Sequence, residues 1–459
     1  FTLNGQEIIS EYLVIEGDTL DDFVYQIPAL HGDQGSKPLL VALHQWGGNA
    51  MSSTYTDFDE EAYFRGWFLM SPFGGAPNNY NHQGAQDLWE LEILWMLDQF
   101  DIDERRIYFV GGSMGGAAGM IYANNHLDPG KPMVAATASA SGILDCERRY
   151  YEMDGNNSMI EWFGGTPEEV PFEYHRNSAV YFEDPQQSMH TNLQYTPLFM
   201  DFGATEPHRG HAEDLYDLLL DLNQNMWIET DPVNGHGYSV MDEAQVCDWL
   251  EQFELEDDPD EVMVKLDEPG RAYWVEAGNQ QNYTNFISII TEKNIDNNGE
   301  WGLNRRLNIH IDQATNTDTL IFHVLDQWLD HIHFYCSENY ETLEALVIGL
   351  DGPFLEYVDT YWNLFGMEPQ IYPNPGTTIW IGEHDHFCGD EMFSYSFIYT
   401  INDVNIDGEW NVTDIITTIQ FILEWIEMPQ LQQSFADLND DADVNISDII
   451  LMVDLILEQ

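Results

Sequence analysis

An apolar run, Ile107-Tyr108-Phe109-Val110, passes without a break into Gly111-Gly112-Ser113-Met114-Gly115-Gly116, and from there into the apolar stretch Ala117 to Ala123. Few backbones satisfy all three parts. The first is short enough for a buried strand, the last has the look of a helix, and the glycines mark a turn too tight for bulky neighbours. The pattern is G-x-S-x-G between a strand and a helix. Such a turn lifts its serine to the carboxyl edge of a sheet and points the amino end of the next helix at it. Ser113 is therefore read as a nucleophile. The plainer alternative is a glycine-rich turn with an idle serine.

The surrounding sequence suits that turn. Leu39-Leu40-Val41-Ala42-Leu43 is a short apolar run and predicts a buried strand, as do Val134 to Ser139 and Pro197 to Met200. Gln86 to Gln99 carries Leu88, Leu91, Leu94 and Trp95 at helical spacing. Strands alternating with helices predict a doubly wound, mostly parallel sheet covered on both faces over residues 1–252.

A serine needs a base to take its proton and an acid to hold that base. In a fold of this kind the chain order is serine, acid, histidine. Thr196 to Met200 leads through Asp201, Phe202 and Gly203 to Glu206, in the loop after a strand. Glu206 is the favoured acid, with Asp201 and Asp214 as rivals. His236, between Gly235 and Gly237 and ahead of a predicted helix from Met241 to Phe253, is the favoured base. His190, His208 and His211 fit the order less well. The developing oxyanion needs two backbone donors. Met114, next after the serine, supplies one, and Gln45 or Trp46 in the loop His44-Gln45-Trp46-Gly47-Gly48 supplies the other. Trp46 and His44 are expected to face substrate, Trp46 as an aromatic wall for the acyl group.

With these residues in place, residues 1–252 resemble an α/β-hydrolase esterase. The likeness is to the secreted group of feruloyl and acetyl xylan esterases and polyhydroxyalkanoate depolymerases. It rests on Asp101-Ile102-Asp103-Glu104-Arg105-Arg106-Ile107-Tyr108 leading into Gly-Gly-Ser-Met-Gly-Gly, and on the His44 loop, where Gln45 replaces the first glycine of H-G-x-G-G. The Ser-Met-Gly-Gly core also resembles that of polyester hydrolases and peptidase-like relatives. The resemblance implies acyl transfer from an ester through an acyl-enzyme, without a cofactor for catalysis.

Composition bounds the partners. The chain of 459 residues holds 81 acidic and 14 basic residues, a formal net charge of -67. Nucleic acid is excluded as a main partner because phosphate contacts need clustered Lys and Arg. Such charge strains a compact fold, and salt relieves it, with a Debye length of roughly 10 Å at 0.1 M. With Lys at positions 37, 131, 265 and 293 only, the balance suggests a salty habitat. An acidic exported protein with bound cations is the alternative. No run of eighteen apolar residues predicts a membrane span, no secretory signal is seen, and Phe1 in place of Met suggests a processed amino terminus. Cys146 and Cys247, then Cys336 and Cys388, permit one disulfide in each half or four free thiols.

Beyond residue 252 the character changes. Glu254 to Glu261 is an acidic run with Pro259, read as a linker or a solvated helix end. Residues 253–399 are expected to form a β-rich module, for which a sandwich is one architecture, with strands at Leu307–Ile311 and Thr377–Ile381 and a short helix at Tyr340–Leu350. His331-Ile332-His333 and His384-Asp385-His386 make a metal site conceivable, although polar alternation on a wet strand face is commoner. Trp274, Trp301, Trp328, Trp362 and Trp380 suit either sugar stacking or a core.

Residues 400–459 are an internal repeat. Asp403, Asn405, Asp407, Asn411 and Asp414 stand at loop positions 1, 3, 5, 9 and 12, and Asp437, Asn439, Asp441, Asn445 and Asp448 repeat them. Oxygen ligands at this spacing wrap calcium. Apolar residues then align, Ile415 with Ile449 and Ile419 with Val453. The tail resembles a small all-α dockerin-like domain with two structural calcium loops, which implies a cohesin-like protein partner. The whole is expected to be a secreted, extracellular carboxylesterase on polysaccharide esters or polyesters. A non-catalytic adhesion or scaffold protein on a retired hydrolase fold, and a serine peptidase-like hydrolase, are the alternatives.

Overall fold

The computed structural model describes residues 2–3, 6–15, 17–29, 35–155, 157–232, 235–296 and 306–323, the strand segments 331–336, 344–350 and 377–381, and in the tail 404, 412–423, 436 and 444–457. The chain divides into two units. The first is Phe1–Tyr273 with Ala277–Thr291 and Gln313–Thr317, and the second takes the remainder.

In the first unit nine strands form one sheet: β1 (Thr2–Leu3), β2 (Gln6–Ile15), β3 (Asp18–Gln26), β4 (Lys37–Leu43), β5 (Phe68–Pro72), β6 (Ile102–Gly112), β7 (Ala136–Ala140), β8 (Leu198–Gly203) and β9 (Met226–Asp231). Their order is β1-β2-β3-β5-β4-β6-β7-β8-β9. The first three pairs are antiparallel, and every pair from β5 to β9 is parallel. This mixed α/β architecture is the one expected of an α/β-hydrolase. The chain leaves β4 for β5 on one side and then crosses to β6 on the other. That reversal opens a crevice at the carboxyl ends of β4 and β6, where ligands bind in open α/β sheets.

Both sheet faces are covered, which is why the central strands read as continuous apolar runs. Along β4, Leu39, Val41 and Leu43 pack with Phe109 and with Trp89, Ile93 and Met96 of the helix Gln83–Gln99. Leu40 and Ala42 face the other way, with Tyr108, Val110, Phe58, Ala62, Val246 and Leu250. The inner stripe of Gln83–Gln99 is thus Ala85, Trp89, Ile93 and Met96, whereas Leu94 is 39% exposed. Leucine spacing identified the helix but not its buried side. Cys146 and Cys247 are buried free thiols in separate clusters, so the disulfide reading fails for this pair. The acidic run after residue 253 is pinned rather than free: Leu255 N–H donates to the Arg105 carbonyl, and Arg105 bonds both oxygens of Asp257 at 2.9 and 2.8 Å.

Helix Gln83–Gln99 also buries Glu92 completely. Burial, and then the neighbouring Asp21 carboxylate, push its carboxyl well above the usual 4.5. The folded state therefore binds this proton more tightly than the unfolded chain. Its contribution is fully present below the unfolded value and is lost as pH rises through the folded one. Between about pH 5 and about pH 8, the urea midpoint of the native protein is expected to fall relative to that of Glu92→Gln. Parallel curves for the two proteins would show that Glu92 does not titrate in this window.

In the second unit, Arg306–Ile311 pairs with His331–Cys336 and Thr319–His323 pairs with Glu344–Ile348, both in parallel and both joining residues 25 positions apart (Arg306 with His331, Thr319 with Glu344). Sandwich strands pair antiparallel, so these ladders depart from the sandwich expectation. Glu344–Leu350 is a strand, not the expected helix. Its Ala345-Leu346-Val347 core is paired on both sides, the second being antiparallel to Thr377–Ile381, and ladder pairing outweighs local helical spacing. In the tail, helices Val412–Ile422 and Ile446–Leu457 follow the repeated loops. Val404, Ala436 and Met452 are buried among Ile415, Phe421 and Val444. Of the ten expected calcium ligands, only Asn445 and Asp448 have described side chains. Asp448 is fully buried, and its Oδ2 accepts from Asn445 N–H at 2.8 Å. His331-Ile332-His333 is described as strand backbone only, and His384-Asp385-His386 lies outside the described residues. Among the described residues no helix is long and apolar enough to cross a membrane.

Candidate active site

Ser113 follows directly on β6 at φ 55°, ψ -114° and precedes the helix Met114–Asn125. A non-glycine residue held in so sparsely populated a region stores about 1–3 kcal/mol of strain. The turn is over-determined from all sides. A side chain at Gly115 would run into the carbonyls of Leu43 and His44, and one at Gly111 into Gly115 itself. The motif's small residues therefore follow from backbone approach.

Ser113 Oγ lies 3.0 Å from His236 Nε2. His236 Nδ1 donates to Glu206 Oε2 at 2.6 Å. The other carboxylate oxygen, Oε1, accepts from the Ser141 hydroxyl at 2.5 Å and from Gly203 N–H at 2.8 Å. Burial works against the Glu206 charge, but the bonds from His236, Ser141 and Gly203 prevail and hold its carboxyl below the usual range. The carboxylate keeps only 7% side-chain exposure while the imidazole keeps 48%, so the ring is reachable and its anchor is not. The rivals lie elsewhere. Asp214 pairs with Arg148 at 2.6 Å, and Asp201 is buried on β8 with Oδ1 unpartnered. Burial, followed by Glu229, Asp231 and Glu206, pushes the Asp201 carboxyl up to about 7.

The base loop is docked on the sheet end by Tyr238, whose hydroxyl donates to the Leu43 carbonyl at 2.6 Å. Gln45 lies between that loop and the elbow. Its amide would collide with any side chain at Gly237, and its Cγ sits 3.2 Å from where one at Gly112 would start. Met114 is the first residue of its helix, so its N–H has no carbonyl a turn behind it. Among the described residues the N–H groups of Gln45 and Trp46 also meet no acceptor, whereas Gly47 N–H is taken by the Pro77 carbonyl and Gly48 N–H by that of Gln45. Trp46 is 58% exposed. His44 departs from the substrate-facing expectation: it is 4% exposed, and its ring nitrogens lie 2.8 Å from the carbonyls of Gln45 and Phe73. It shapes the loop from inside.

Sequence reasoning missed Ser141 and weighed His208 only as a rival base. Ser141 joins the acid to the base loop, since its Oγ also accepts from Gly237 N–H at 3.0 Å. His208 is buried, and its Nδ1–H donates to the Ser141 carbonyl at 2.8 Å. Its ring meets that of His236 edge-on at 5.0 Å. Burial holds His208 neutral, with a pKa of about 4. Glu206, His208 and His236 present possible ligand atoms within 4.8 Å of one another. Both His236 nitrogens are already engaged by Ser113 and Glu206, so the donor set suits proton transfer better than a metal.

No protein-family model and no curated protein matches the sequence. Solved structures do. The chain is similar to FphF, a fluorophosphonate-binding serine hydrolase of Staphylococcus aureus, at 19% identity over 53% of this chain and 98% of that one, with a TM-score of 0.39. It is similar to a bacterial heroin esterase at 16% identity over 55% and 84% of the two chains, with a TM-score of 0.43. It is similar to a ferulic acid esterase at 13% identity over 54% and 98%, with a TM-score of 0.40.

Proposed function

We propose that this protein is a serine carboxylesterase acting through an acyl-enzyme. The observation that carries the reading is the unbroken line from Ser113 Oγ through His236 to Glu206, set on a strained elbow at the sheet's switch point. Ser113 Oγ attacks the ester carbonyl carbon as His236 Nε2 takes its proton. Glu206 holds the Nδ1–H tautomer and stabilises the charged ring. The Met114 N–H and one from Gln45 or Trp46 receive the oxyanion. The alkoxide leaves with the proton from Nε2. Water, deprotonated by the same nitrogen, then attacks the acyl group, and Ser113 Oγ recovers the proton as the acid is released. The test is hydrolysis of p-nitrophenyl acetate alongside casein. Ester turnover with casein untouched supports the esterase. Casein cleavage favours the peptidase reading, and no turnover of either the adhesion reading.

A polysaccharide ester or a polyester is the substrate class we favour. Support comes from a cavity of about 1020 Å³ in the first unit, lined by Gln187, Asn285 and Ser288 together with Glu169, Glu173 and Lys265, beside Tyr283, which is 75% exposed. Amide and hydroxyl groups next to an open aromatic ring suit an oxygen-rich chain. None of the triad residues lines this cavity, so it would hold a polymer away from the scissile bond. An extracellular setting belongs to the same reading. The tail would bind two structural calcium ions and a cohesin-like partner. Calcium added to the chelated full-length protein is expected to raise its helical circular dichroism and to leave p-nitrophenyl acetate turnover unchanged. A flat titration would remove the calcium assignment.

A further inference from the structure

We propose that Ser141 is a positioning residue whose hydroxyl sets the triad acid and the base loop in one register. The proposal rests on the esterase reading of Ser113, Glu206 and His236. Ser141 follows directly on β7, is 1% exposed, and sits at φ 53°. Glycine occupies that conformation without a steric penalty, and serine does not. Its neighbour Gly142 shows that glycine is used in this turn, yet position 141 keeps a side chain. A strained residue that persists calls for a reason.

The contacts supply one. The Ser141 hydroxyl uses its proton on Glu206 Oε1 and a lone pair on Gly237 N–H. Its backbone N–H donates to the Asp201 carbonyl at 2.7 Å, and its own carbonyl accepts from His208. One residue thus ties the end of β8, the acid loop and the base loop together. With Oε1 committed to Ser141 and Gly203, Oε2 is the oxygen turned to the imidazole. Without the hydroxyl, Oε1 keeps a single donor and the buried Gly237 N–H loses its acceptor, so the carboxylate and the ring it orients can drift independently. Misplacement of reacting groups by about 1 Å costs about 10²-fold in rate.

The test uses Ser141→Gly in the full chain, with Ser141→Ala as a second variant. Glycine relieves the backbone, so Ser141→Gly is expected to melt no lower than Ser141→Ala. Its turnover of p-nitrophenyl acetate is expected to fall by about 10- to 100-fold, with KM changed by less than about twofold. Made in the Glu206→Gln background, the same change is expected to cost less than about threefold, because the carboxylate it positions is already gone. Full turnover in Ser141→Gly beside an inactive Ser113→Ala would overturn the proposal and leave the esterase standing. A loss of the same size in both backgrounds would also overturn it. Activity retained by Ser113→Ala would bring down the esterase reading and this inference together.

Discussion

Ser113→Ala is expected to lower p-nitrophenyl acetate turnover by about 10⁴- to 10⁶-fold while leaving the fold intact. Alanine removes one oxygen and keeps the Cβ, so the backbone at φ 55° is strained no more than before. The helix Met114–Asn125 starts where it did, and the amides for the oxyanion stay in place. Rate above the water background should survive at the level such amides and binding give alone, about 10³- to 10⁴-fold in a serine protease lacking its triad. Near-ultraviolet circular dichroism should overlay that of the native protein. If the variant keeps more than about a tenth of native turnover, Ser113 is not the nucleophile.

Glu206→Gln is expected to cost about two to four orders of magnitude in turnover, and Asp201→Asn and Asp214→Asn less than about tenfold each. Three donors converge on the Glu206 carboxylate: the Ser141 hydroxyl, Gly203 N–H and His236 Nδ1–H. A carboxylate accepts all three. An amide offers one accepting oxygen and must turn its NH₂ toward at least one donor, which strains the acid loop or flips the imidazole tautomer. Asp214 lies in a surface pair with Arg148, and such pairs are worth little. Asp201 lies on the sheet, and burial has already pushed its carboxyl to about 7, so Asn there resembles a form it readily adopts. A large loss in Asp201→Asn or Asp214→Asn, with Glu206→Gln active, would reassign the acid.

What the sequence made legible follows from the range of the interaction responsible. The Ser113 turn is local: backbone atoms within a few residues of one another forbid side chains, and glycine records that. The order of Ser113, Glu206 and His236 was readable because each follows the end of a strand or opens a glycine-flanked loop. Ser141 left no such mark. Its partners Glu206 and Gly237 are 65 and 96 residues further on, and nothing local separates it from Ser139. The helix Gln83–Gln99 was readable as a helix because its period is local, but which side is buried depends on where the sheet lies. The same limit applies to Glu344–Leu350. Its parallel partner is set 25 residues back along the chain, an offset that local propensity does not encode.

The two strained serines sit at the ends of adjoining strands, Ser113 after β6 at φ 55° and Ser141 after β7 at φ 53°. At both positions glycine is the relaxed choice, with less backbone strain to release on unfolding. A library of random variants screened for heat resistance alone should therefore return Ser113→Gly, which is catalytically silent, whereas Ser141→Gly gives back its relief by leaving Gly237 N–H without an acceptor. A screen on stability alone thus rewards loss of the nucleophile, and any directed improvement of this protein has to score activity in every round.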